Sequence, residues 1–288
     1  MRHILVCEAN DDLIRRMHGE AIVVKTNVAG EVGHFARVIN ESNKIHCIEY
    51  TSEEPLAYIE LYEDWKGFPI HVMSPSLGKF MDFIVKRTAL KELQVRCFLD
   101  ASVRENYVDL QIMTSLGIPG GLWFKGNDIP WSDFKDIMAF TVFPKVYRAD
   151  IEPFAFVMQN FKSDANILFP VKNFDNPYRY LHVDKDENVA LTSEHLQRGE
   201  YLFQGLEQLD ELDSSKAYLA WKKQAHRPFM KITDCGSCPG WRICGGQLAY
   251  TLADNPGCKK AMEELIEAAE IHQSTKTQES KGVELCQL

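Results

Sequence analysis

The sequence predicts an α/β fold laid out as an open or incomplete β/α barrel, and three observations lead there. Short β-rich runs alternate with stretches of helical spacing from residue 45 to about 143. The intervening stretches carry apolar residues at i, i+3 and i+4, as Val103, Tyr107, Leu110, Met113 and Thr114 do within 103–116. The composition, 45% apolar and 11% aromatic over 288 residues, supplies a core large enough for one α/β unit with an appendage.

Taken in order, the expected strands of this central region are 45–50, 70–73, 94–99 and 118–124, each starting about 25 residues after the last. Between them lie expected helices at 55–65, 77–90 and 103–116. Such β-α repeats favour parallel strands joined by right-handed crossovers. A further unit is expected at 131–143 (helix) and 145–147 (strand), and an earlier one from strands 4–7 and 22–24 with helix 28–40. The Asn-, Asp- and Pro-rich segment 161–177 reads as a crossing loop. Beyond it, 179–183 and 188–191 flank the turn Asp184-Lys185-Asp186-Glu187 as a hairpin. That turn is no calcium loop, because Val189 and His195 stand where glycine and an acidic ligand are required. Helix-prone stretches follow at 206–212, 214–225 and 259–271, the last with Met262, Leu265, Ile266 and Ala269 as a core stripe. The expected organisation is a barrel-like domain over 1–177, a cysteine-bearing domain over 178–272 and a mobile polar tail over 273–288.

Charge and hydropathy exclude several classes. The formal charge is −9, and no clustered basic face is visible, which argues against a nucleic-acid partner. No apolar run approaches the roughly 18–20 residues of a spanning helix, so no membrane partner is expected. The N-terminus turns acidic at Glu8, too early for a secretory signal, and the expected location is cytoplasmic. No two histidines stand at i, i+4, and neither G-x-G-x-x-G nor G-x-S-x-G occurs.

The cysteines carry the strongest signal. Cys7, Cys47, Cys97 and Cys286 are single, the first three as buried fillers of apolar runs and the fourth as an exposed thiol. The other four, Cys235, Cys238, Cys244 and Cys258, read C-x2-C-x5-C-x13-C, with Gly245, Gly246 and Gly257 supplying tight turns. Two thiolates three positions apart can bend around one ion or cluster. These four are the expected metal and cofactor ligands. Four thiolates suit Zn2+ or a [4Fe–4S] cluster, and the spacing alone leans to zinc. Trp241, with Trp221 and Tyr218, is expected to form an exposed aromatic set, Trp241 shielding the centre.

The string Cys235-Gly236-Ser237-Cys238-Pro239-Gly240-Trp241-Arg242-Ile243-Cys244-Gly245-Gly246 resembles the cysteine core of SPASM domains, the C-terminal auxiliary-cluster domains of radical-SAM peptide maturases. The hairpin around Asp186-Glu187-Asn188-Val189 resembles the strand-turn-strand that opens such domains, and 103–124 resembles a late unit of the radical-SAM partial barrel. The resemblance implies an iron–sulfur cluster at the four cysteines, with zinc as the alternative. The chain departs from that family at two places. The C-x3-C-x2-C motif that holds the S-adenosylmethionine-cleaving cluster is absent, as is a G-G-E stretch, so S-adenosylmethionine is not expected as a ligand. The ligands of a second auxiliary cluster are also absent: Leu248 stands four residues after Cys244, and 183–200 holds no cysteine.

What the resemblance implies is a degenerate, pseudo-radical-SAM protein: an auxiliary component of a ribosomal peptide modification (natural-product maturation) system, binding a precursor peptide or a partner maturase. Two other functions stay open at the level of sequence. One is a redox or radical enzyme that uses the cluster with a partner subunit; the other is a zinc-stabilised interaction module. The turns after the expected strands (Thr51-Ser52-Glu53, Ser74-Pro75-Ser76, Asp100-Ala101-Ser102 and Lys125-Gly126-Asn127-Asp128) are expected to cap helices, with a ligand pocket or peptide groove as the alternative.

Overall fold

The computed structural model describes residues 3–54, 63–78, 80–93, 95–124, 128–143, 148–162, 166–167, 174, 176–224, 233–245 and 256–285. The chain opens with β1 (Ile4–Glu8), α1 (Asp11–Arg16), β2 (Ala21–Thr26), α2 (Val32–Ser42) and β3 (Lys44–Thr51). It continues through β4 (Ile70–Ser74), α3 (Phe80–Glu92), β5 (Arg96–Asp100), α4 (Glu105–Ser115), β6 (Gly120–Trp123), α5 (Trp131–Val142), β7 (Ile151–Glu152) and α6 (Phe154–Asn160). The hairpin β8 (Tyr180–Val183) and β9 (Val189–Ala190) precedes α7 (Ser193–Gln197), a 3-10 segment (Leu206–Ser214) and α8 (Lys216–Gln224). Two four-residue helices, α9 (Thr233–Gly236) and α10 (Trp241–Cys244), lead to the long α11 (Pro256–Leu285).

All nine strands form one sheet in the order β7-β6-β5-β4-β3-β2-β1-β8-β9. Every pair is parallel except β8 with β9. Each of the first seven strands lies beside its predecessor, so right-handed crossovers place their helices on one side of the sheet. Strand alternation follows from this. Leu5, Cys7, Ile22, Val24, Ile48, Tyr50, Ile70, Val72, Cys97 and Leu99 face the helices and belong to one large core. Their neighbours Val6, Val23 and Cys47 face the other way and pack with Phe174 and Tyr180 in a separate small cluster. The α4 residues expected to share a face behave accordingly, with Tyr107, Leu110, Met113 and Thr114 buried.

The fold class expected from the sequence is therefore the one observed: an α/β chain with a mostly parallel sheet. The sheet continues across residue 177, since β8 pairs in parallel with β1 through Ile4↔Tyr180 to Cys7↔Val183. The strand expected at 145–147 and most of the helix expected at 55–65 lie outside the described residues, as does Cys286. The last helix differs from expectation. It was to end near residue 271, yet α11 runs on to Leu285 and takes in most of the segment expected as a tail. That segment has no proline and a single glycine, Gly282, and its Gln, Glu and Lys residues have good helix propensity.

Local chemistry fixes several element ends. Asn10 caps α1 by accepting the Leu13 N–H at 2.9 Å, with Asp11 and Asp12 in the first turn and Arg15 and Arg16 in the last. Asp100 accepts both the N–H (2.9 Å) and the hydroxyl (2.7 Å) of Ser102, and Ser52 accepts the Glu54 N–H at 3.1 Å. These turn residues close local turns rather than cap α4, whose N-cap position is Arg104. No helix among the described residues is long and apolar enough to cross a membrane.

Candidate functional site

Two places on this frame gather chemistry-bearing side chains. The first is the cysteine segment. Cys235 sits in α9, Cys238 follows, Cys244 ends α10, and Cys258 lies in the first turn of α11. Gly245 takes the left-handed conformation (φ 59°) that ends α10 and turns the chain. Gly240 is required by packing, because a Cβ there would come within 2.3 Å of the Met262 Cβ and 3.2 Å of the Cys238 Sγ. Gly257 likewise leaves room for Trp131, whose Cδ1 would lie 2.2 Å from a Cβ. The start of α11 is thus set directly on α5.

Burial raises the Cys238 thiol above its ordinary range, and the backbone N–H groups of Gly240 and Trp241 oppose that rise. The Cys258 thiol is also pushed up, first by burial and then by the neighbouring thiols of Cys244, Cys238 and Cys235. The other three expected ligands therefore lie within electrostatic reach of Cys258. Among the described residues, however, no group of three or more His, Cys, Asp or Glu side chains is arranged to hold a metal ion. The two findings differ in range: thiolate repulsion acts over many ångströms, whereas Zn–S bonds of about 2.3 Å demand much closer sulfurs. The donor chemistry of four thiols fits a four-thiolate centre. None of the seven described cysteines is in a disulfide.

Cys7, Cys47 and Cys97 are buried, as expected of fillers. Burial pushes the Cys7 and Cys97 thiols up to about 12, so neither supplies a thiolate. The aromatic set departs from expectation, because Tyr218 is only 2% exposed. Its ring stacks on Trp221 with centroids 5.8 Å apart, and its hydroxyl meets the His3 ring at 3.1 Å. Trp221 and Trp241 are half-buried.

The second place was not singled out from the sequence. On the sheet face away from the helices, the register aligns Glu8↔Lys25, Lys25↔Glu49, Glu49↔His71 and His71↔Arg96. Five polar residues thus form one row across β1 to β5. Their position shifts steadily along the strands: Glu8 ends β1, Lys25 is next to last in β2, His71 is second in β4 and Arg96 begins β5. The strands are therefore staggered in one sense across the sheet.

Glu49 is the unusual member of the row. It is 6% exposed; its Oε1 lies 3.6 Å from the Lys25 Nζ, and its Oε2 has no hydrogen-bond partner. Burial holds its carboxyl above the usual range, Lys25 counteracts, and Glu8 adds to the rise. Glu8, Lys25 and His182 line a cavity of about 460 Å³ at the C-terminal ends of β1 and β8, closed on one side by Ser193 and Gln197 of α7. His182 is 3% exposed and shares a 3.0 Å hydrogen bond between its Nε2 and the Phe174 carbonyl. Strand C-terminal ends are where α/β folds place ligands. A signal for this row exists in the sequence: single polar residues interrupt apolar strands at Val6-Cys7-Glu8, Val24-Lys25, Ile48-Glu49-Tyr50 and Ile70-His71-Val72. An inward-facing polar residue in a strand otherwise buried on both faces is the mark to look for.

The geometry of the two sites is the evidence this chain offers, for no family model, no curated protein and no solved structure matches it.

Proposed function

We propose that this chain is an auxiliary, non-radical-generating component of a ribosomal peptide modification system, built on a partial β/α barrel with a SPASM-like cysteine segment. In this reading Cys235, Cys238, Cys244 and Cys258 hold one [4Fe–4S] cluster that organises the start of α11, and the polar inner face receives a precursor peptide or a segment of a partner maturase. The observation that carries the reading is a parallel sheet with strands in chain order and staggered as barrels are, followed in the sequence by four cysteines at C-x2-C-x5-C-x13-C spacing. Four protein thiolates leave a cluster no open position, so its role is structural or electron-relaying.

The sheet edges support an inner-face site over an added edge strand. The outer side of β9 is already engaged, since Val189 exchanges hydrogen bonds with Phe203 (2.9 and 3.3 Å) and accepts from Leu202 (2.7 Å). At the other edge β7 is two residues long, too short to template a peptide strand. The cavity beside Glu8, Lys25 and His182 offers instead both donors and acceptors for a peptide backbone.

Protein purified without oxygen should contain about four irons with acid-labile sulfide and absorb broadly near 400 nm, and Cys238→Ala should abolish all three. The same protein should retain a precursor peptide or maturase in a pulldown. One zinc per chain with a featureless visible spectrum would replace the cluster by a zinc-stabilised interaction module. Recovery of neither peptide nor maturase would overturn the peptide-system reading.

A further inference from the structure

A second cavity, of about 420 Å³, opens at the opposite end of the sheet, at the N-terminal ends of β4 and β5. His71 of β4 and Arg96 of β5, on the sheet face away from the helices, and Lys91 of α3 are among the residues that line it. No carboxylate is among the described residues that line it. We propose that this cavity binds the phosphate group of a small phosphorylated molecule, at the end of the polar row opposite the cavity assigned to the peptide.

The charge balance favours an anion. The chain as a whole carries −9, yet the residues around this cavity are basic. Arg96 pairs with Glu152 at 3.6 Å, longer than a direct hydrogen bond, so an anion in the cavity would compete with that one carboxylate for the guanidinium. Glu49 is the register neighbour of His71 within the sheet, but it does not line the cavity and its nearest cation is Lys25. Lys91 has no acidic partner among the described residues. Its ammonium lies over Gly117, where a Cβ would come within 3.0 Å of Nζ; Gly117 (φ 83°) both ends the α4 turn and leaves that space open. His71 is 9% exposed and is in register with Arg96, so the two side chains emerge side by side on one face.

Donors that approach from a strand, a neighbouring strand and a helix end suit a tetrahedral oxyanion better than the planar fork of a carboxylate. The volume exceeds what a lone phosphate fills and falls within the range of small-molecule sites. Phe68 and Leu90 supply an apolar wall for the rest of the ligand.

Titration calorimetry on the full chain with inorganic phosphate, phenyl phosphate and benzoate tests this. Both phosphates should bind, phenyl phosphate more tightly because Phe68 and Leu90 take its ring, and benzoate should bind at least about tenfold more weakly than phenyl phosphate. Lys91→Gln and Arg96→Gln should each weaken phosphate binding about tenfold, the scale of one lost charged hydrogen bond. Lys91 is exposed at the end of α3, so Lys91→Gln keeps the fold and decides alone if Arg96→Gln does not fold. Absence of phosphate binding at millimolar concentration, or an affinity unmoved by Lys91→Gln, would overturn the site. Benzoate binding as well as phenyl phosphate would overturn the phosphate assignment and leave a carboxylate pocket.

Discussion

The two faces of one sheet are built from alternate residues of the same strands: one is apolar throughout, and the other sets a charged row beside a small apolar cluster. Toward the helices, β1 to β5 present Cys7, Val24, Ile48, Val72 and Leu99, all buried in a continuous apolar core. Toward the other side, the adjoining positions are Glu8, Lys25, Glu49, His71 and Arg96. A singly wound order explains how both can exist, since every crossover helix covers the same face. Stability is thereby assigned to one face, and the other is left to carry charges that no stable core would choose. Cys258 belongs with the first face, because α11, which carries it in the first turn, packs on α5 and α6.

Mutations should divide along that line. The largest effect is expected from Phe134→Ala on the helix face. Its ring is fully buried and sits 4.9 Å from Phe154 and 5.3 Å from Trp131, so truncation should cost about 3–5 kcal/mol in a denaturant titration. Cys244→Ala should come next. If the four cysteines hold the proposed centre, it should abolish metal binding and strip amide-exchange protection from α10 and the first turns of α11, while β1 to β6 keep theirs. Protection lost equally from the strands would show that the centre holds the whole fold and not one flank of it.

Tyr107→Phe should be milder. Its buried hydroxyl donates to the Ala101 carbonyl at 2.8 Å, and losing that bond should cost roughly 1–2 kcal/mol. On the inner face the sign reverses. Glu49 has a native pKa raised above its ordinary 4.5 by burial, so its contribution to stability is complete below that value and declines as pH rises through the raised one. Glu49→Gln removes the buried charge, and its melting temperature should exceed that of the unmodified chain at pH 8, with the gap closing toward pH 4. A gap that widens in acid would mean the Lys25 pair outweighs the burial of Glu49. The smallest effect should come from Arg15→Ala, whose 2.9 Å pair with Glu41 is more than half exposed on both sides and contributes no more than about 0.5 kcal/mol.

Much of the helix face was legible in the sequence. Strands expected at 45–50 and 70–73 appear as Lys44–Thr51 and Ile70–Ser74, and the helix expected at 131–143 as Trp131–Val142. Apolar periodicity reports burial, and burial on this face is continuous. The hairpin after residue 178 was legible too, but its parallel partnership with β1 was not, because pairing between strands 176 residues apart leaves no local pattern. The four cysteines announced themselves by spacing, and the structure sets Cys258 within electrostatic reach of the other three. The charged row stayed hidden for the opposite reason: each strand contributes one member, and only register makes the five a set.

That dependence on register restricts how the chain can vary. A side chain's face is decided by counting along its strand, so one residue inserted into β2, β4 or β5 would turn its charge into the apolar core and an aliphatic group out. The chain shows one place where the count was altered and then absorbed. Between β2 and β3 the pairing passes from Ile22↔Ile45 to Val23↔Cys47, stepping over His46 as a bulge, and Glu49 still arrives opposite Lys25. Insertions and deletions among descendants of this sequence should therefore gather in the loops and at His46, while the strand lengths that set the row stay fixed.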